Sequence, residues 1–353
     1  MLLLLGLLAA AAPEIQLIES IPTEISANSP KIADAASTWV SMFDAAQNSI
    51  DIASFYISPS DKQDALDPVW ASLRKAVDRG VQLRVLVDLS FSDKYPEPLL
   101  ELETWPNTTL KRIDYSPGVM HAKYFIVDQK EAFLGSQNFD YRALEHIFEL
   151  GVRIQEEHLV QSISRIFDLD WGEDSLQPKP KTTKDIFLVA SPPQSLPFEV
   201  PHDLPHILSL IQSTKRKLRL QFLSYNNKTR SKDSWNVLDD ALINAVQRGV
   251  DVELMVSDWA KKGDKGRSLE KLQSNGVTVH IVSIPEHSSG HIPFARTIHA
   301  KTIISDQSRC WIGTSNASKS YFYTSRNLGL IIQRNKLCVQ MEDFFTRILE
   351  TQP

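Results

Sequence analysis

Two short runs of this chain carry the same reactive side chains at the same spacing. Residues 121–128 read His-x-Lys-x-x-x-x-Asp, and residues 299–306 repeat it. Fifteen positions after each histidine comes a hydroxyl, Ser136 or Thr314, and two positions later an amide, Asn138 or Asn316. The Val, Ile, Phe and Tyr around each histidine predict a strand. Alternate residues of a strand share a face, so His121 and Lys123 point the same way, as do His299 and Lys301. Two such runs brought together make a pocket with two imidazoles and two ammonium groups. That pocket suits a phosphate diester: the lysines hold the anion, one histidine attacks phosphorus, and the other protonates the leaving oxygen. A single short pattern of common residues arises by chance, whereas two copies with a matching Gly-Ser/Thr-x-Asn trailer argue for a built site.

Attack by an imidazole nitrogen gives a phosphohistidine, which water then hydrolyses, dividing one hard displacement between two easier ones. The second histidine gives a proton to the leaving alkoxide and later takes one from the water. Lys123 and Lys301 supply the positive charge that metals provide elsewhere. Two cysteines and nine scattered histidines form no zinc pattern, so neither a metal nor another cofactor is expected. Ser136, Thr314, Asn138 and Asn316 can add hydrogen bonds to the nonbridging oxygens. Asp128 and Asp306, five residues after the lysines, fall on the opposite face and read as structural. Phe55, Tyr56, Tyr225 and Phe294 can stack on bases or pack in the core. Phe294, in the loop before His299, is the best stacking candidate, and Arg296 beside it can hold a terminal phosphate or cap a strand. His146, His280, His287 and His291 read as surface or core residues.

The elements that must position these groups recur in two halves. In the first, the patterns predict a helix over 34–48, a strand over 49–56, a helix over 67–79 stopped by Gly80, and a buried strand over 81–88. A helix over 91–104, strands over 109–115, around His121, over 132–135 and over 149–155, and a helix over 158–171 complete it. In the second half, 218–225 corresponds to 51–56, the helix over 238–248 ends at Gly249, and 250–257 matches 81–88 at an offset of 169. The histidines are offset by 178, so about nine residues are added in between, expected in loops at 261–267 and 286–292. Strands alternating with helices predict an α/β fold of two similar sandwich halves about a pseudo-twofold axis that passes through the site. The divisions expected are a leader over 1–13, a first half over 14–171, a linker over 172–185 and a second half over 186–353.

The chain has 353 residues, 42% of them hydrophobic, enough for a large core. A net charge of −5 argues against indiscriminate duplex binding and leaves room for a locally basic cleft. The opening MLLLLGLLAAAAPEI carries an apolar run too short for a membrane span and suited to a secretory signal with cleavage near 11–13. This predicts the secretory pathway, with the product secreted or in the endolysosomal lumen. Cys310 and Cys338 can pair, although their spacing does not decide it. Acceptor sequons occur at Asn107, Asn227 and Asn316, the last better explained by the site.

The duplicated motif resembles the phospholipase D superfamily. The runs QLIESIP (16–22), SIDIASFY (49–56), GVMHAKYFIVDQ (118–129), GSQNFDYRAL (135–144), ELG (149–151), IPFAR (292–296) and GTSN (313–316) are similar to its lysosomal 5′-exonuclease branch. The resemblance implies the same two-lobed architecture, a metal-independent phosphodiesterase, and trimming of single-stranded DNA or RNA from the 5′ end. It also implies a role for Glu149, twenty-eight residues after His121, where superfamily members carry a carboxylate that orients a histidine; the matching position after His299 is Asn327. Which histidine Glu149 touches is open, since in a two-lobed site it can reach across. The resemblance favours His121 as nucleophile and His299 as acid and base. The alternatives are a phospholipase D or transphosphatidylase using the same residues on phospholipids, and a non-catalytic binding protein. A homodimer is possible but not required, because one chain holds both motifs.

Overall fold

The computed structural model describes residues 14–60, 63–174, 185–229, 231, 233–333 and 336–352. Its two sheets have the same strand order. The first runs Ile15–Ser20, Ile147–Ile154, Glu131–Gly135, Tyr124–Val127, Ser49–Ser54, Gln82–Asp88, Thr108–Ile113, with the short strand Ala33–Asp34 added at its edge. The second runs Ile186–Ser191, Asn327–Gln333, Arg309–Gly313, Thr302–Ser305, Lys217–Phe222, Asp251–Ser257, Thr278–Val282. Directions match as well: Ser49–Ser54 lies parallel to Gln82–Asp88 and antiparallel to Tyr124–Val127. Lys217–Phe222 lies in the same way against Asp251–Ser257 and Thr302–Ser305. The fold is therefore α/β, in two similar halves.

Helices cover the outer face of each sheet. Ala35–Ala45 begins at Asp34, whose carboxylate accepts the Ser37 N–H at 2.8 Å, and Asp67–Asp78 has Pro68 in its first turn. Their Trp39, Phe43, Leu73 and Val77 pack on Ile50, Val85, Phe125 and Phe133. In the second half Asp203–Ser213 and Val237–Gln247 set Ile207, Ile211 and Leu242 against Leu220, Leu254 and Trp311. The helices that end each half, Glu157–Trp171 and Lys336–Glu350, share one apolar cluster with both sheets. Ile163, Ile166 and Phe167 join Met341, Phe344, Phe345 and Ile348, each set spaced by one to four residues on a helix face, together with Leu134, Val152, Ile312 and Leu330. A buried ion pair also crosses the join, with Arg326 Nη2 2.6 Å from Asp170 Oδ1. Cys310 and Cys338 form a disulfide with their Cα atoms 5.6 Å apart, which ties a central strand of the second sheet to its last helix.

Several expected elements move. The helix expected over 91–104 is a 3₁₀ turn, Leu89–Phe91, followed by a helix Pro96–Glu103, because Pro96 disfavours helical backbone at Tyr95 and opens a new first turn. The loop expected at 261–267 falls largely within the helix Gly263–Ser274. Asp88 and Ile113 are as far apart in sequence as Ser257 and Val282, so no residue is added there. All nine extra residues lie between Val282 and His299, in the segment that carries Phe294. Lys217–Phe222 aligns with Ser49–Ser54, which makes Tyr225 the counterpart of Ile57 and not of Tyr56; each of these two bridges to the residue after its own half's site asparagine. The expected leader over 1–13 and most of the expected linker, 175–184, lie outside the described residues.

Candidate active site

The two halves exchange main-chain bonds at their reactive runs. Regular pairing within each half's own sheet begins only at Tyr124 and Thr302, one residue after each lysine. The expected strand around each histidine is therefore displaced, because the residues before it pair across the join. The His121 N–H donates to the Arg326 carbonyl at 3.0 Å, and the His299 N–H donates to the Phe148 carbonyl at 2.9 Å. Met120 bridges to Arg326, while Thr297–Ile298 pairs in parallel with Ile147 and Phe148. Gly118 permits this approach, since a Cβ there would sit 2.0 Å from the Thr324 carbonyl oxygen. Asp128 and Asp306 secure the turn behind each run, at φ 52° in both cases, a region Asp tolerates better than most residues. Each carboxylate accepts three successive backbone N–H groups: Gln47, Asn48 and Ser49 for Asp128, and Lys215, Arg216 and Lys217 for Asp306.

Each imidazole is oriented by the other half. His299 Nδ1 lies 2.8 and 2.9 Å from the two carboxylate oxygens of Glu149, and His121 Nδ1 lies 3.0 Å from Asn327 Oδ1. Asn327 Nδ2 donates to the Tyr321 carbonyl at 2.9 Å, and Thr314 Oγ1 donates to Asn327 Oδ1 at 2.9 Å. These two contacts fix the amide orientation, so His121 Nδ1 must be the donor and its Nε2 keeps the lone pair. On the other ring, both Glu149 oxygens face Nδ1, and the ionised carboxylate favours a protonated imidazole, so the two buried groups compete for one proton. The site is symmetric in its histidines and asymmetric in what holds them.

Ser136 and Thr314 do not line the cavity. The Ser136 hydroxyl exchanges hydrogen bonds with the backbone of Leu150, and the Leu328 N–H donates to Thr314 Oγ1. Expected as substrate ligands, they instead hold the strands and groups that orient the histidines. Lys123 and Lys301 are buried behind the imidazoles, each ammonium donating to the carbonyl of its own motif histidine. Burial pushes Lys301 down to about 7, and burial together with Lys301 pushes Lys123 well below the usual lysine range. Burial, and then the two lysines, hold both histidines well below the ordinary imidazole value. Glu149, fully buried, is pushed up to about 8 by burial against the pull of Lys301. An anion entering between the histidines relieves this crowding of positive charge.

His121 and His299 both line one cavity of about 220 Å³, with Asn138 and Asn316 beside them. A larger cavity of about 610 Å³ beside residues 226–234 contains neither histidine and none of the reactive groups. Among the described residues, the buried Oδ1 atoms of Asn138 and Asn316 have no hydrogen-bond partner, while Asn138 Nδ2 reaches the Tyr56 hydroxyl at 3.3 Å. Phe55, Tyr56 and Phe294 line this cavity, and Phe294 is 62% exposed. Tyr225 does not: it is buried in the second half's core, and its hydroxyl donates to Asp239 at 2.6 Å. Arg296 is also turned away, its guanidinium donating to the carbonyls of Pro285 and Thr23 at 2.7 Å, so it anchors the inserted segment and does not hold a terminal phosphate.

Lys94, Tyr95, Arg142, Trp259 and Tyr321 also line the wall, with Ile147, Leu223 and Thr297, and none of these stands out in the sequence. Arg142 Nη2 meets Asp140 at 2.6 Å and the Tyr95 hydroxyl at 3.1 Å, and the Tyr56 hydroxyl donates to Asp140 at 2.9 Å. The Asp140 and Arg142 pair, two and four residues after Asn138, was the available signal. The loop residues become neighbours only when the chain folds. Among the described residues, no three His, Cys, Asp or Glu side chains group as a metal site, and no helix is long and apolar enough to cross a membrane.

Residues 39–171 and 207–349 each match the family model described as cardiolipin synthase, PLD-like domain. The chain is 27% identical to the 5′-3′ exonuclease PLD3 of Bos taurus, over 95% of this chain and 79% of that protein. It is 26% identical to phospholipase D Z of Dictyostelium discoideum, over 94% of this chain and 88% of that protein. The phosphatidylserine synthase of Haemophilus influenzae Rd KW20 superposes with a TM-score of 0.66 at 14% identity, over 90% of this chain and 84% of that one, a likeness of fold.

Proposed function

The chain belongs to the PLD-like domain family and is a phosphodiesterase, and we propose that it removes nucleotides from the 5′ end of single-stranded DNA or RNA through a phosphohistidine on His121. The observation that carries the mechanism is the unequal support of two imidazoles in one cavity: a fixed amide acceptor on His121 and a carboxylate on His299. His121 Nε2 attacks phosphorus, forming the P–N bond as the bond to the leaving ester oxygen breaks. Once the phosphate anion lies between the rings and offsets the lysines, His299, which shares a proton with Glu149, gives its Nε2 proton to that oxygen. Water then attacks phosphorus, returns a proton to His299, and the P–N bond breaks. Lys123 and Lys301 stabilise the added negative charge from behind the rings, and Asn138 and Asn316 present amides to the nonbridging oxygens.

The polynucleotide reading rests on the similarity to the bovine exonuclease and on the aromatic wall of the cavity. Phe55, Tyr56, Tyr95 and Phe294 offer stacking faces beside Lys94, which is how single strands are gripped without sequence choice. The Cys310–Cys338 bridge supports an oxidising compartment, secreted or endolysosomal. The decisive assay incubates the chain in EDTA at pH 5 and 7.5 with a 3′-labelled single-stranded oligonucleotide bearing a 5′-hydroxyl, beside phosphatidylcholine vesicles. A ladder shortening from the 5′ end, lost in His121→Ala and His299→Ala, is the expected result. Choline release with an intact oligonucleotide would assign the site to phospholipids.

A further inference from the structure

Outside the reacting histidines, the cationic side chains of the cavity wall come from one half only. Beside His299 and Asn316 the second half contributes the uncharged Leu223, Trp259, Phe294, Thr297 and Tyr321, whereas the first contributes Arg142 and Lys94. Arg142 is not free to act on a ligand, since three of its contacts go to Asp140 at 2.6–3.1 Å. Lys94 is different. It is exposed at the cavity wall, and among the described residues no carboxylate pairs with it. Its ammonium instead stands 4.9 Å from the ring centroid of Phe294, 5.6 Å from Phe91 and 5.7 Å from Tyr95. Ring faces attract a cation without neutralising it, so the three rings hold the lysine in place and leave its charge available to an anion.

Contacts between rings lead from the reacting histidine to this lysine. The Phe55 ring is 5.2 Å from that of His121, and Phe91 is 4.1 Å from Phe55. We infer that Lys94 is a specificity-determining residue that binds the phosphate next to the scissile one, so that the site selects a polyanionic strand over a molecule with a single diester. Phe294, on the nine-residue insertion of the second half, closes the cage from above and offers its exposed face to the intervening base. The first half's wall then carries the continuing chain, and the uncharged wall of Leu223 and Trp259 does not. This assignment rests on the polynucleotide reading of the substrate.

The test compares wild type, Lys94→Ala and Lys94→Arg on a single-stranded oligonucleotide and on bis(p-nitrophenyl) phosphate, which has one phosphate. The ratio of kcat/KM for oligonucleotide to that for the small diester should fall about tenfold in Lys94→Ala, mostly through KM, and return in Lys94→Arg. The logarithmic salt dependence of oligonucleotide binding should flatten by about 0.7 with the loss of one phosphate contact. A Lys94→Ala variant that cuts the oligonucleotide with unaltered ratio and salt slope overturns the assignment while the substrate reading stands. An equal loss on both substrates also overturns it, because it shows a structural role. A wild-type chain that hydrolyses the small diester and leaves the oligonucleotide intact overturns the substrate reading first, and the assignment with it.

Discussion

Replacing Glu149 with Gln tests whether the two histidines have different tasks. The substitution keeps an acceptor oxygen for His299 Nδ1, just as Asn327 serves His121, and so removes charge with little change of shape. Two unit charges about 4 Å apart attract by about 4 kcal/mol at the effective dielectric suited to buried protein sites. The net value of a charge-assisted hydrogen bond over a neutral one is smaller, about 1–1.5 kcal/mol. The protonated fraction of His299, and with it kcat on an alkoxide leaving group, should therefore fall about 5- to 13-fold. KM should change little, since neither carboxylate oxygen lines the cavity. The assay is steady-state cleavage of a 3′-labelled oligonucleotide from pH 5 to 8. Asn327→Asp is the counterpart: it puts a carboxylate on His121 Nδ1, stabilises the imidazolium and ties up the attacking lone pair, so the variant should be poor at pH 5 and recover as pH rises. A Glu149→Gln variant with wild-type kcat, or an Asn327→Asp that is faster than wild type at pH 5, would refute the assignment of roles.

Three other perturbations have defined outcomes. Burial and the lysines hold the His121 pKa well below the ordinary imidazole value, which favours a neutral nucleophile toward acid pH, while Glu149, pushed up to about 8 beside His299, loses the proton the two groups share as pH rises past that value. The pH profile of kcat should therefore be level from pH 5 to 7 and decline above about pH 8, and full activity at pH 9 with little at pH 5 would contradict this. Removing the Cys310–Cys338 bridge by double Ala substitution opens a loop with a separation of 28 residues and should lower unfolding stability by about 3–4 kcal/mol, read from denaturant midpoints. Asp170→Ala leaves Arg326 fully buried without a counter-charge and should cost about 3–5 kcal/mol, with activity reduced too because the Arg326 carbonyl receives the His121 N–H. A stability equal to wild type would show the pair to be dispensable.

The reactive core was legible because the chain writes it twice. His121, Lys123 and Asn138 recur as His299, Lys301 and Asn316 at one offset, and a repeat exposes function where a single copy would not. Glu149 and its counterpart Asn327 were visible as positions, but their partners were not, since the join between halves decides which imidazole each one reaches. Ser136 and Thr314 show the limit of analogy between residue types: a hydroxyl near a site can serve the backbone as readily as a ligand, and spacing does not distinguish the two. Arg296 faces the other way because its left-handed backbone, φ 54°, and two carbonyl acceptors set its direction, neither of which is written in local pattern. Lys94, in a turn, and Trp259, in the 3₁₀ helix Asp258–Ala260, approach the histidines only through the packing of whole sheets. The order of the strands was equally hidden: periodicity placed Ser49–Ser54, Gln82–Asp88, Thr108–Ile113, Glu131–Gly135, Ile147–Ile154 and Asp251–Ser257 within two residues at each end, whereas Ile15–Ser20, Ile186–Ser191, Thr278–Val282 and Asn327–Gln333 went unassigned.

The central claim is a covalent intermediate on one particular histidine. Wild-type protein mixed with an oligonucleotide labelled at its scissile phosphate, quenched in alkali within one turnover and digested for mass spectrometry, reports it directly. The account predicts an acid-labile, alkali-stable phosphoryl adduct on the peptide that carries His121, absent from His121→Ala. An adduct on His299, or turnover with none on either histidine, would contradict it.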